Sequence, residues 1–381
     1  MDEKVKSPAL DYRAVFVVVL RKIVGYSIFF MLIYCFFIFR EDINMLNFYR
    51  IVSYFDTDAE SIQNFTSYEF ESGIENTSAP FAGGLVVLNR DSLKIINAAG
   101  IEDLSVQLKY ENPRLVTGDR RVLAYDMGGN KFSIFGSYAL LKQYETASPI
   151  INCDMNNSGD IIVIYDESGY KGSVQVFSSD LKEKFQWSTS EYYILSGCIN
   201  ENGNNFSIIC MDSSTGEPLL RTYSVKNSVP IYEVSLGERI VYSLKYNSDG
   251  SLWLICSDGV YTYDSKGKET AVYSYETGDL KCFEHRFGTP PVAAISQSGG
   301  SKIVSFDSDG SETYREGPFD IKYVCSGQGM TAAISANKVY IYEQDETNAK
   351  IYDAYAALRV SKRSDGSYLA IFGDRAELLS N

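Results

Sequence analysis

A glycine followed within a few residues by a short apolar strand recurs along most of this chain, and that repeat constrains the fold more than any other feature. It stands at Gly83 (GLVVLN), Gly118 (DRRVLAY), Gly159 (DIIVIY), Gly203 (NNFSIIC), Gly250 (SLWLIC), Gly288 (TPPVAAIS), Gly329 (MTAAIS) and Gly366 (SYLAIF). The intervals are 35, 41, 44, 47, 38, 41 and 37 residues, the length of one four-stranded propeller blade. Each repeat has the same anatomy. A strand such as Val241–Tyr246 leads to a turn at Asn247–Gly250, a second strand (SLWLICS), a turn at Asp258-Gly259 and a third strand (VYTYD). Glycine at such turns supplies the positive φ that a tight hairpin demands.

The C-terminal repeat offers only three strands, at 358–362, 368–372 and 376–379. The unassigned stretch Ser67–Glu71 (SYEFE) supplies the fourth, closing the ring and removing the sheet edges that invite aggregation. The expected fold class is therefore all-β, a β-propeller over residues 67–381 with eight blades, or seven if one repeat is irregular. A second device, Tyr/Phe-Asp-x-x-Gly, occurs at Tyr125-Asp126, Tyr165-Asp166, Tyr263-Asp264 and Phe306-Asp307. It follows the second strand in the first two cases and the third strand in the others. The ring can pack between sheets while the carboxylate caps backbone N–H groups.

Ahead of the repeats lies Ile23–Phe39 (IVGYSIFFMLIYCFFIF), an uncharged run of 17 residues. As a helix it covers roughly 25 Å, against a hydrocarbon core of about 30 Å, and Ala14–Leu20 extends it once Arg21 and Lys22 snorkel. The run exceeds a signal-peptide core, and no A-x-A-like cleavage site follows it. A transmembrane signal-anchor over 14–39 is expected, after a tail at 1–13 and before a juxtamembrane segment and linker at 40–66. Lys4, Lys6, Arg13, Arg21 and Lys22 precede the run, whereas Arg40 and Arg50 are the only basic residues in the next forty or so. That asymmetry places the N-terminus in the cytoplasm and the propeller outside.

The formal charge is −14, and the segment through Lys22, with five basic and three acidic residues, leaves −16 on the remainder. So acidic a body excludes nucleic acid as a partner and confines lipid contact to the anchor. Outside the anchor stand Cys153, Cys198, Cys210, Cys256, Cys282 and Cys325. Cys210 and Cys256 end apolar strands, so buried free thiols are expected, with Cys198 to Cys210 the candidate bridge should one exist.

The order of lysine-bearing tail, single anchor, linker and Tyr-rich blades resembles the membrane-anchored, propeller-bearing proteins of unknown function found in clostridia and related Gram-positive bacteria. The blades also look like those of quinoprotein-type and WD40-type propellers. The resemblance implies an architecture and carries over no functional residues.

Candidate chemistry is sparse. His285, in Phe283-Glu-His-Arg286, is the single histidine, and its expected place is a loop between blades. A Ser-His-Asp or Cys-His mechanism would have to run through it, and no G-x-S-x-G element is present. A quinone dehydrogenase would need adjacent cysteines and a tryptophan platform. No two cysteines adjoin, and Trp187 and Trp253 are the only tryptophans. Asp307 with Asp309, Glu343 with Asp345, and Asp160 with Asp166 lie at turns. Of these, Asp307–Glu312 is the nearest approach to a calcium loop, without its full spacing. No cofactor is expected and no enzyme activity. The long loops after second strands, Glu167–Gly172 and Asp212–Pro218, are where a partner surface would protrude, with Tyr170 and Lys171 as candidate partner-binding residues. The expected role is a membrane-held module that binds a protein or a cell-envelope component. The alternative is a ligand sensor or enzyme using the central funnel.

Overall fold

A computed structural model describes residues 12–38, 67–70, 77–275, 278–327, 329–343, 346, 348–363 and 365–379. The chain divides into two units, Met1–Asp58 and Ala59–Asn381. In the first, a helix runs Tyr12–Ile38 over 27 residues. Its described side chains, at 20–31, 33 and 34, are all exposed. Among the described residues no helix is long and apolar enough to cross a membrane, so the spanning expectation rests on the sequence. The expected juxtamembrane segment and linker at 40–66 lie outside the described residues, as does the tail up to residue 11.

The second unit is an eight-bladed β-propeller, an all-β ring of eight four-stranded antiparallel sheets. Seven blades are continuous in sequence: blade 1 at 77–107, blade 2 at 113–145, blade 3 at 150–189, blade 4 at 192–235, blade 5 at 241–274, blade 6 at 280–317 and blade 7 at 323–353. Blade 8 takes three strands from 359–378 and its outermost from Ser67–Glu69. That last strand pairs antiparallel with Arg375–Leu378, matching Tyr68 to Ala376, and Phe70 N–H donates to Asp374 O at 2.8 Å. The expected closure is observed.

Each recurrent glycine falls in the connection between a blade's first and second strands. Seven of the eight adopt positive φ, the exception being Gly118. Gly250 shows why the residue is needed. At φ 86° it donates to Asn247 O at 3.0 Å while Asn247 N–H reaches Ser251 O at 2.8 Å, a hairpin that a Cβ would strain. Gly118 serves differently, since a Cβ there would come within 3.1 Å of Asn156 O in blade 3.

The second strands are buried on both faces. Val122–Asp126, Ile161–Tyr165 and Leu252–Cys256 have every residue buried, which explains apolar runs where an ordinary surface sheet would alternate. The core consists of eight apolar clusters, each lying between two neighbouring blades. Aromatic rings fill these interfaces. Phe132 stacks on Tyr144 with centroids 4.9 Å apart, and Phe206 on Tyr223 at 5.3 Å. The Tyr/Phe-Asp device behaves as expected. Tyr125, Tyr165, Tyr263 and Phe306 are buried, while Asp126 Oδ1 accepts from Glu111 and Asn112 N–H, and Asp264 Oδ1 from Lys266 and Lys268 N–H.

The closing cluster joins Phe70, Leu369, Ile371 and Ala376 of blade 8 to Leu85, Val87 and Ile96 of blade 1. Phe70→Ala should cost about 3 kcal/mol of unfolding free energy. The check is a guanidinium titration in which the midpoint falls, and an unchanged midpoint would show that the ring does not depend on this seam.

Candidate functional site

Four antiparallel strands return the chain to the face on which it entered each blade, so all eight inner strands run the same way. The connections between blades and the loops joining second to third strands therefore share one face, the entry face. The hairpins joining first to second strands share the other.

The inner strands enclose an axial cavity of about 300 Å³. Its lining comes from blade 1 (Thr77, Ser78, Ala79), blade 2 (Leu115–Thr117), blade 5 (Lys245), blade 6 (Phe283–Phe287) and blade 8 (Arg359). Blades 1 and 5, like 2 and 6, stand opposite in an eight-membered ring, so only the axis brings them together. Two further contacts cross the same space. Lys245 of blade 5 pairs with Asp154 of blade 3, skipping blade 4. The 285–291 connection of blade 6 places Gly288 in a bridge with Asn247 of blade 5, where a Cβ would lie 3.3 Å from Asn157 Nδ2 of blade 3.

The charges on this wall are arranged around Glu284, which is 8% exposed. Its Oε2 accepts from Ser326 N–H at 2.9 Å and lies 3.4 Å from Arg286 Nη2, and its Oε1 lies 3.4 Å from Arg359 Nη2. One carboxylate thus faces two guanidiniums. Arg286 also donates to Ser326 O. Asp154, 1% exposed, uses Oδ1 for Lys245 and leaves Oδ2 buried without a hydrogen-bond partner. Burial pushes its carboxyl upward, and Lys245 opposes the shift.

His285 was expected in a loop between blades. Instead it follows the inner strand Leu280–Glu284 inside blade 6 and lines the cavity. The reason is the seven-residue span 285–291, which separates the first and second strands where the other blades turn tightly. Its Nδ1 lies 3.0 Å from Ser243 Oγ, and its buried Nε2 has no hydrogen-bond partner. Burial first, and Lys245 second, lower its pKa to about 3. A serine and a histidine do meet here, but through Nδ1 and with no carboxylate on Nε2, and so weak a base does not activate a hydroxyl near neutrality.

Among the described residues, no group of three or more His, Cys, Asp or Glu is placed to hold a metal ion. Asp309 and Asp307 serve their own turn: Asp309 Oδ1 accepts from Ser311 N–H at 2.9 Å, and Asp307 Oδ2 from Ser311 Oγ at 3.2 Å. Asp160 likewise accepts from Ser179 N–H at 2.9 Å. Asp345 lies outside the described residues.

Tyr170 and Lys171 stand on the entry face, in the loop between the second and third strands of blade 3. Tyr170 is 47% exposed, and Lys171 lies 5.4 Å over the ring of Tyr193 in blade 4. Neither touches the axial cavity. Sequence reasoning found this loop and missed Asp154, Lys245, Glu284, Arg286 and Arg359. The available signal was a charged residue at the end of an inner strand, as in VYSLKY and LKCFE.

The comparisons agree with this architecture. A family model described as "Family of unknown function (DUF5711)" matches residues 57–279, more than half of the chain. The chain belongs to the DUF5711 family. No curated protein matches it. Among solved structures, the C-terminal WD40 domain of Sif2 is similar with TM-score 0.56 at 10% identity, covering 82% of this chain and 97% of that one. A eukaryotic initiation factor has TM-score 0.55 at 10% identity, over 80% of this chain and 83% of that one. The Cps50 (Swd1) β-propeller domain of Myceliophteria thermophila has TM-score 0.51 at 10% identity, over 75% and 98%. At such identity the likeness is one of fold, and it makes this family member a WD40-like propeller.

All six cysteines outside the helix are free, and Cys282 is the least buried. In the register of blade 4, Cys198 faces Ser207 and Cys210 faces Ile194, so the candidate bridge does not form. Burial raises the thiols, to about 12 for Cys210, Cys256 and Cys325 and about 11 for Cys282. With Cys35 replaced by Ser, fewer than one thiol per chain should react within minutes with a disulfide reagent near pH 8, and all six should react in guanidinium. Fewer than six in denaturant without reductant would reveal a bridge.

Proposed function

We propose that this chain is a single-pass membrane protein with a cytoplasmic N-terminus, which holds its propeller outside the membrane and binds a protein partner on the entry face. The observation that carries the binding role is the apolar character of that face. In the entry-side halves of the inner strands, or just before them, are Tyr193 and Leu195 of blade 4, Ile240 and Tyr242 of blade 5, Phe319 and Tyr323 of blade 7, and Tyr355 of blade 8. Phe319 is 78% exposed and Tyr355 77%. Scattered exposed apolar residues are ordinary on any surface. Here they recur at one topological position, on two arcs of a single rim, and Tyr170 extends the first arc. Large aromatic side chains on rigid elements are the anchors from which protein interfaces draw most of their affinity.

The membrane part of the proposal is supported by the uncharged run Ile23–Phe39 and by the basic residues preceding it. Without a catalytic pair on the wall, a scaffold role fits better than an enzyme. The acidic balance argues against nucleic acid as the partner.

Two measurements test the proposal separately. Proximity labelling from the propeller in living cells should recover a reproducible envelope partner, and Phe319→Ala with Tyr355→Ala should weaken its capture at least about tenfold. Equal capture by wild type and variant would remove the rim from the interface. A cysteine introduced at Asp56 should react with an impermeant thiol reagent on intact cells, against the low background of buried native thiols, and protection there would reverse the topology.

A further inference from the structure

We infer that the axial cavity is a binding site for a small oxyanion, a molecule bearing a carboxylate or phosphate group, held by Arg359, Arg286, Lys245 and His285. This goes beyond the entry-face reading and does not depend on it. The charge count on the wall is the first ground. Lys245, Arg286 and Arg359 line the cavity with Glu284 as the only lining carboxylate among the described residues, and the adjoining Asp154 is engaged by Lys245. One guanidinium is therefore in excess, in a protein whose net charge is −14.

Geometry is the second ground. Arg286 and Arg359 approach Glu284 from blades 6 and 8, one to each oxygen at 3.4 Å, contacts longer than a charge-assisted hydrogen bond. Their side chains keep 37% and 29% exposure, so donors remain for a ligand. Five N–H groups on a planar fork suit carboxylate and phosphate oxygens. Third, His285 belongs to the cavity wall, and its buried Nε2 has no hydrogen-bond partner. Such an atom costs free energy unless something satisfies it. With the Ser243 hydroxyl donating to Nδ1, Nε2 carries the proton and donates to the anion. A cavity of about 300 Å³ holds a molecule of a few carbon atoms.

His285 is the only histidine in the chain, so isotope labelling of histidine gives one imidazole signal that reports this wall. In the full chain held in a non-ionic detergent, inorganic phosphate or succinate should shift that signal saturably at fixed ionic strength, with chloride as the control. Bound anion favours the imidazolium, so the His285 titration midpoint should rise from its low value when the site is filled. The charges that set this response are Lys245, Asp154, Glu284, Arg286 and Arg359. Arg359→Gln should weaken binding at least about tenfold, and Arg359→Lys should recover part of it. The melting temperature of each variant without anion shows whether the ring has survived, and Arg286→Gln replaces Arg359→Gln if it has not. Response to one of the two anions alone supports the site and fixes its class. No saturable shift up to about 10 mM, or equal affinity in wild type and the arginine variants, overturns the assignment.

Discussion

The structure depends on the blade-to-blade interface. Each sheet buries both faces against its neighbours, so no blade has a core of its own and the apolar clusters belong to pairs. A linear stack of such sheets would leave two apolar faces in water, and a ring leaves none. Closure is thus required by the same burial that holds any two blades together. The seam between blades 8 and 1 differs in its chain connectivity, because its outer strand is drawn from before the first blade. Phe70 carries the apolar side of that seam, and Phe70 N–H to Asp374 O extends the ladder beyond the strand.

This dependence explains why the ring was legible in the sequence and the cavity was not. A glycine in a tight turn has a backbone reason that survives any divergence of side chains, so Gly159, Gly250 and Gly366 announce their blades directly. The runs IIVIY and LWLIC announce strands buried on two faces. Ser67–Glu69 followed by elimination, since three strands at 359–378 leave one place open. By contrast, Lys245 in VYSLKY and Glu284 in LKCFE look like the polar positions of an ordinary half-exposed strand. Nothing in the spacing tells that their strands face an axis rather than solvent. Arg286 and Arg359 are 73 positions apart, and only the curvature of the ring brings both to one carboxylate. His285 was misplaced for a related reason: periodicity marks where a repeat is regular, and 285–291 is where blade 6 departs from it.

The departure has a structural counterpart. Seven residues replace a tight hairpin, and they reach inward, where Phe287 joins the apolar cluster between blades 4 and 5 and Gly288 bridges to Asn247. Anchoring the connection at these two points holds its backbone, and with it the Arg286 guanidinium tied to Ser326 O of blade 7. The ring supplies rigid walls, and the irregular blade supplies the groups that project from them. Function placed on a connection and steadied by regular neighbours is a common division of labour in repeat architectures.

The two regions to which binding is assigned are mechanically separate although they share a scaffold. The entry-face rim is carried by inter-blade connections and the entry ends of inner strands, and the cavity wall by inner strands and the 285–291 connection on the hairpin face. Interior packing at crystal-like density resists continuous deformation, so a ligand on the axis reaches the rim only by tilting whole blades. Blades 5 and 8 contribute to both regions, through Lys245 with Tyr242 and through Arg359 with Tyr355. On the inner strand of blade 5, Tyr242 and Lys245 are three residues apart, at most about 11 Å of extended chain. The shortest covalent links between the cavity and the rim are therefore these two stretches of chain, in each of which one backbone carries both a cavity cation and a rim aromatic.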